Sequence, residues 1–240
     1  MANRFVQKMS ELVDLTASDV AVLTDVTARP RHYTARQDLI REGDRPGPMF
    51  VVLEGWVCRY KILPNGTRQI MAFLIPGDAC DLHTRLFVEM DHGIQTITTA
   101  TVATLNRGEL QTMMQNHPNI AAAMYLAQLI DEGIMRAWIV SMGRRSSIER
   151  LAHLICELYL RARSTGLTAD DHFALPLSQV VLADALGMTA IHVNRVLREL
   201  RLAGAMTMAR GSVTIIDPAK LIHIAGFDEN YLHRRLRQAS

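Results

Sequence analysis

Apolar side chains return at helical spacing near the start of the chain, at Leu12, Leu15, Val20, Leu23 and Val26. The spacing predicts one helix from Ser10 to about Ala28, with Ser18 able to cap a second turn before Asp19. From Arg31 to about Leu105 the pattern shortens to runs of Val, Ile, Thr and aromatic residues, punctuated by Gly43, Gly47, Gly55, Gly66, Gly77 and Gly93. Met49–Leu53 and Trp56–Leu63 read as strands. Asn65-Gly66 then gives a hairpin signal, because both residues tolerate positive φ. Thr67–Ile75 is the return strand, closed by Pro76-Gly77-Asp78, and the threonine-rich stretch Ile94–Leu105 reads as one long strand. Short strands with regular turns predict a compact antiparallel barrel or roll.

The period lengthens again after Pro118. Ile120, Ala123, Ala127, Ile130, Ile134, Ala137 and Ser141 step by three and four through Asn119–Met142, a stretch with no proline and one glycine. Such a stripe describes a helix about 33–36 Å long. Its small side chains would let the same helix of a second copy approach closely, which predicts a dimer helix. Tyr125, Leu126, Leu129, Trp138, Ile139 and Val140 give that helix further apolar faces for its own domain, and a plain buried helix is the alternative.

Past Gly143, Ser146 and Glu149 form a capping box ahead of a helix from Ser147 to Arg163. Ser164–Asp171 reads as a polar, flexible connection. Two short helices follow, Ser178–Leu186 and Thr189–Leu202, separated by Gly187-Met188. Met206–Met208 and Val213–Ile216 then form a hairpin around Arg210-Gly211, and the chain ends in a basic tail, Arg234-Arg235-Leu236-Arg237. The expected class is α+β, in three segments: a β-roll sensor (1–118), a dimerisation helix (119–143) and a winged helix-turn-helix domain (144–240).

Composition narrows the function. Across 240 residues, 49% are hydrophobic and 21% charged, which excludes disordered and fibrous chains. No apolar run reaches the roughly 18–20 residues of a membrane span, and Met1–Ser10 lacks a secretory pattern. Three cysteines, Cys58, Cys80 and Cys156, cannot all pair with one another, so a reducing cytoplasm is the expected address. The net charge of +2 is unevenly divided: 13 Lys+Arg face 15 Asp+Glu up to residue 143, and 13 face 9 beyond it. That tilt suggests an anionic partner for the C-terminal part, although a solvated basic surface gives the same count.

Leu177–Leu197 carries the sharpest signal. Ala183 is small where two helices cross, and Gly187 supplies a left-handed turn between them. Val193 and Leu197 would pin the second helix onto Leu182 and Leu186. Thr189 caps it, leaving Ala190, Ile191, Asn194, Arg195 and Arg198 facing outward. This is a helix-turn-helix pattern, whose second helix fits the major groove of double-stranded DNA.

Taken with Glu42-Gly43-Asp44, Met49–Val57, Asn65-Gly66 and Pro76-Gly77-Asp78, the order and spacing over residues 10–217 resemble the CRP/FNR family of transcription regulators. The cyclic-AMP receptor protein and the fumarate–nitrate regulator belong to it. The resemblance implies a β-roll sensor, a dimerising helix and a winged DNA reader. It also exposes departures. Where cyclic-AMP binders carry a Gly-Glu-Leu turn and an Arg-Ser pair for ribose and phosphate, this chain has Cys80-Asp81-Leu82-His83 and Met90-Asp91-His92. A phosphate beside Asp81 and Asp91 would be repelled, so cyclic AMP is not the expected effector. The iron–sulfur members need four cysteines, and there are three. Cys80, His83 and His92 have ligand-like spacing for a metal or haem, against which stands the commoner fate of a histidine, a hydrogen-bonded or exposed side chain. The sequence names no cofactor.

In the reader, Arg195 is the expected base contact, bridging guanine O6 and N7, with Asn194 a second candidate. Ile191 and Ala190 replace an acidic residue and an arginine usual in the family, and suit a thymine methyl. Ser178, Gln179, Thr189, His192, Arg198 and Arg210 match phosphate-contact positions. The resulting expectation is a homodimeric regulator on a palindromic site, with RNA polymerase as a further partner if it activates. A cupin-type enzyme needs a His-x-His pair that Arg31–Leu105 lacks. A cyclic-nucleotide- or haem-responsive sensor acting on a partner protein is the other alternative, and it leaves the outward face of the second helix unexplained.

Overall fold

The structure, a computed structural model, describes residues 3–82, 88–169 and 171–233. His83 and the basic tail Arg234-Arg235-Leu236-Arg237 therefore lie outside the described residues. The chain divides into two compact units, residues 1–66 with 71–131, and residues 67–70 with 132–240.

The first unit opens with two helices rather than one, α1 (Arg4–Leu12) and α2 (Ala17–Val26). The chain leaves the helical region at Val13, which is extended (φ −143°, ψ 148°). Thr16, not Ser18, caps α2, in a reciprocal box with Asp19. Asp19 is buried and also meets His117 Nδ1 at 2.8 Å and Asn119 Nδ2 at 3.1 Å. Burial alone would raise its pKa, but these hydrogen bonds together with those from Thr16 hold the carboxyl well below its usual range.

Among the described residues eight strands follow: β1 (Arg31–Tyr33), β2 (Asp38–Ile40), β3 (Met49–Glu54), β4 (Val57–Ile62), β5 (Arg68–Leu74, whose first residues are assigned to the second unit), β6 (Ala79–Cys80), β7 (Gly93–Thr96) and β8 (Ala100–Leu105). They form two four-stranded sheets, ordered β1-β8-β3-β6 and β2-β7-β4-β5. The single strand expected over Ile94–Leu105 is thus two, assigned to different sheets. The chain turns between them where Trp56 carbonyl accepts from Ile97 N–H (2.7 Å) and Trp56 N–H donates to Thr98 Oγ1 (2.9 Å). At the β4–β5 hairpin only Gly66 takes positive φ (82°). Gly66 N–H closes on Leu63 carbonyl at 2.8 Å, so Asn65 sits inside an ordinary turn instead of a left-handed pair. Gly55 is demanded by packing, since a Cβ there would fall 2.2 Å from Thr99 carbonyl oxygen. Val52, Val57, Leu74, Ile94 and Val102 fill one core cluster.

Helix α3 (Arg107–Asn116) lies in a stretch without a clear apolar period; Asn106 N–H donates to Glu109 at 3.0 Å at its start. Helix α4 (Pro118–Arg144) opens on proline, whose missing N–H costs nothing in a first turn. It runs through the division between the units.

The second unit contains α5 (Ser147–Ser164), with the expected Ser146–Glu149 box (2.6 Å). It continues with β9 (Thr168–Ala169), β10 (His172–Ala174), α6 (Gln179–Leu186), α7 (Ala190–Leu202), β11 (Met206–Ala209), β12 (Ser212–Ile215), α8 (Pro218–Ala225) and a 3-10 turn, Glu229–Leu232. The segment expected to be a flexible connection contributes β9 to a sheet ordered β11-β12-β10-β9. Among the described residues no single helix is long and apolar enough to cross a membrane.

Candidate nucleic-acid interface

Helices α6 and α7 meet at 98°, within the range of helix-turn-helix pairs. The turn works because Gly187 is left-handed (φ 62°, ψ 43°) and its N–H reaches Ala183 carbonyl. Ala183 is buried at the crossing. Leu182, Leu186, Val193, Val196 and Leu200 make the small core, and Leu197, expected to pin the helix, is only half-buried. Val196 takes its place because it lies three residues after Val193, on the same helical face.

The opposite face of α7 is free of this core. Ile191 is 77% exposed, and Asn194, Arg195 and Arg198 are exposed beside it at i+3, i+4 and i+7. Ala190 is half-buried at the helix start. Thr189 accepts from His192 N–H (3.2 Å), and Ser178 from Val181 N–H (3.3 Å), so both hydroxyls cap helix N-termini. Gln179 is exposed at the first turn of α6. His192 behaves differently from the other expected phosphate contacts: its Nε2 engages Ser147 Oγ at 2.8 Å, which commits half the ring to fixing α7 against α5.

Arg210 stands at the tip of the β11–β12 wing, exposed, with φ 50°, followed by Gly211 at φ 75°. Two positive φ values between the paired residues Ala209 and Ser212 define a two-residue turn of the kind favouring Asn-Gly. An arginine there carries a conformational cost that glycine or asparagine would not.

On helix α4 the seven positions expected at the dimer seam differ in burial. Ile120 and Ala123 are fully buried in the first unit's own core, and Ile134 and Ser141 are also buried. Ala127, Ile130 and Ala137 are half-buried. Four of the seven expected positions are thus buried within the protomer, and the other three stay partly exposed. A more exposed stripe runs through Ala122, Tyr125, Leu129, Arg136 and Ile139, with Glu132 half-buried among them, again in steps of three and four. Tyr125, Leu129 and Ile139 are 52%, 51% and 67% exposed.

Inside the roll, Arg59 of β4 comes to the stretches where the resemblance puts ribose and phosphate contacts. Its Nε lies 3.7 Å from Asp81 and its Nη1 3.5 Å from Asp131 of α4. Asp81, nearly fully buried, takes positive φ (68°) directly after β6. His92 Nε2 faces Asp81 at 3.4 Å and its Nδ1 faces Asp91 at 2.6 Å. Burial would lower the imidazole pKa, but the two carboxylates raise it. Because each shares its element with other charges, Lys61 in β4 and Glu132 in α4, nothing in the sequence pattern marks Arg59 and Asp131. Together they place an arginine beside Asp81, neutralised by carboxylates of the chain itself. Cys80 is buried beside this cluster, and burial pushes its thiol pKa well above the ordinary value. Cys156 is pushed up to about 12 for the same reason. Among the described residues no group of three His, Cys, Asp or Glu side chains is arranged to hold a metal; His83 lies outside them.

Known proteins resemble each half of this arrangement. Residues 30–117 match the cyclic nucleotide-binding domain and residues 149–224 the Crp-like helix-turn-helix domain. The nitrogen fixation regulation protein FixK of Bradyrhizobium diazoefficiens is 29% identical over 195 residues, covering 81% of each chain. The transcriptional activator protein FnrL of Cereibacter sphaeroides is 26% identical, covering 83% of this chain and 82% of its own. In three dimensions the chain resembles FixK2 from Bradyrhizobium japonicum, with a TM-score of 0.74 at 22% identity, over 83% of this chain and 98% of that one. With both family domains matched in order along the chain, it belongs to the CRP/FNR family of transcription regulators.

Proposed function

We propose that the protein works in the cytoplasm as a homodimer on a palindromic DNA site, its two α7 helices entering successive major grooves about one helical turn apart. The observation that carries this reading is the coherent exposed face of α7, Ile191, Asn194, Arg195 and Arg198, flanked by the Arg210 wing. Arg195 reads a guanine, Asn194 assists, and Ile191 with Ala190 meets a thymine methyl. Ser178, Gln179, Thr189, Arg198 and Arg210 hold phosphates; His192 acts at most through one free ring nitrogen. The α4 stripe through Tyr125, Leu129 and Ile139 pairs the protomers. An activating role would add RNA polymerase as a partner. The effector is not a cyclic nucleotide: Asp81 and Asp131 already neutralise Arg59, so a phosphate would have to displace a carboxylate.

Binding-site selection from random DNA tests the first part, and an enriched inverted repeat is the expected result. Recovery of no preferred sequence would overturn it. Calorimetric titration with cyclic AMP and cyclic GMP tests the effector reading; saturable heat with either would refute it.

A further inference from the structure

Glu157 of α5 is completely buried, a costly place for a carboxylate unless donors converge on it. Three do, from three elements. Trp138 Nε1 of α4 donates to Oε2 at 3.0 Å, the Tyr231 hydroxyl of the 3-10 turn donates to the same oxygen at 3.1 Å, and Arg161 meets Oε1 at 3.1 Å.

A second contact repeats this joint. A Cβ on Gly133 of α4 would lie 2.7 Å from the Tyr231 carbonyl oxygen, so the C-terminal backbone rests directly on the helix. Between the two contacts, His153 stacks on Tyr231 (centroids 5.7 Å apart, planes at 14°) and meets Phe227 edge-on at 5.0 Å. Gly226, left-handed at φ 52°, ends α8 and turns the chain back towards this site. Phe227 and Tyr231 both lie beyond residue 224, where the match to the helix-turn-helix domain stops.

We infer that the C-terminal segment from Phe227 to Tyr231 is a strap that holds the DNA reader on the C-terminal half of α4, with Gly133, Glu157 and Tyr231 as its positioning residues. The inference rests on the homodimer reading above. If α4 is the shared axis, the angle of the reader on α4 sets the separation of the two recognition helices. One added base pair moves a half-site by about 3.4 Å and turns it by roughly 35°. A reader fixed by the strap rejects that change, whereas a loosened one follows it.

The test compares full-length wild type, Gly133→Ala and Tyr231→Phe on palindromes of selected, plus-one and minus-one spacing, and on a single half-site. Wild type should discriminate between spacings by about tenfold or more. Both variants should bind the single half-site like wild type while discrimination falls to within about threefold. Tyr231→Phe keeps the ring packing and deletes one hydroxyl. In Gly133→Ala, helix propensity alone predicts a firmer α4 and equal or sharper discrimination, so a loss there points to the strap. Unchanged spacing preference in both variants, or loss of single half-site binding in both, overturns the strap. Absence of any spacing preference in wild type overturns the dimer reading instead.

Discussion

Arg210 shows how backbone conformation and function can be separated at one residue. Its φ of 50° is a position where asparagine is at ease, so Arg210→Asn should leave the protein as stable as wild type or slightly firmer. If the side chain holds a phosphate, the same change weakens binding to all sequences alike and lowers the salt slope by about one counterion. Arg195→Ala should behave in the opposite manner. Its loss relaxes preference at one base pair per half-site, by about 1–3 kcal/mol, with little effect on the salt slope. Competition binding on single-base variants across a salt series, together with thermal melting, checks both. Equal loss on specific and random DNA for Arg195→Ala would remove it from the base-reading role. The reader was legible in sequence because capping and turn chemistry are local: Gly187, Thr189 and Ser178 each do in the structure what their residue type favours. His192 was less so, because Ser147, its partner, is 45 residues away.

At the scale of elements, α4 carries the clearest test. Its burial pattern gives Leu129 and Ile139 to solvent and Ile134 to the interior. Leu129→Glu or Ile139→Glu should therefore yield a folded monomer with at least tenfold weaker binding to the palindrome, while Ile134→Glu should destabilise the fold itself by several kcal/mol. Sedimentation and circular dichroism distinguish these outcomes; a dimeric Leu129→Glu/Ile139→Glu double variant would refute the assignment. The helix was readable from periodicity, yet which of its positions are buried within the protomer was not. A helix with apolar residues on more than one face offers two stripes of similar spacing, and which positions pack internally depends, at its N-terminal end, on α1, α2 and the strands it meets. The same limit explains the N-terminal helix read as one instead of two and the long strand read as one instead of β7 and β8. At the first break the apolar spacing continues through Val13 and Leu15, so only the local Thr16–Asp19 cap marks the new helix; at the second, Ile97 and Thr98 redirect the chain through hydrogen bonds to Trp56, about forty residues away.

The whole molecule is expected to respond unevenly to acid. His153, buried among Phe227 and Tyr231 in the second unit, has its pKa lowered to about 4 by burial and by the Arg145 charge. An unfolded chain takes up that proton near pH 6.5 and the folded one resists it. Stability of this unit therefore falls as pH drops through the interval from about 6.5 to 4. Glu157 works the other way, since burial raises its carboxyl pKa despite Arg161, Trp138 and Tyr231, and acidification favours its folded form. In the first unit His92 is raised by Asp81 and Asp91 against burial, so it contributes stability below its unfolded pKa that fades as pH rises. Asp19 holds that unit until the pH falls below the ordinary carboxylate range. The chain's two tryptophans divide between the units, Trp56 in the first and Trp138 in the second, so fluorescence can follow each separately. Denaturant melts of Trp56→Phe, which leaves Trp138 as reporter, should lose stability between pH 7 and 5, and adding His153→Phe should flatten that loss by removing the buried imidazole. A slope left unchanged by His153→Phe would show that the acid response originates elsewhere in the reader.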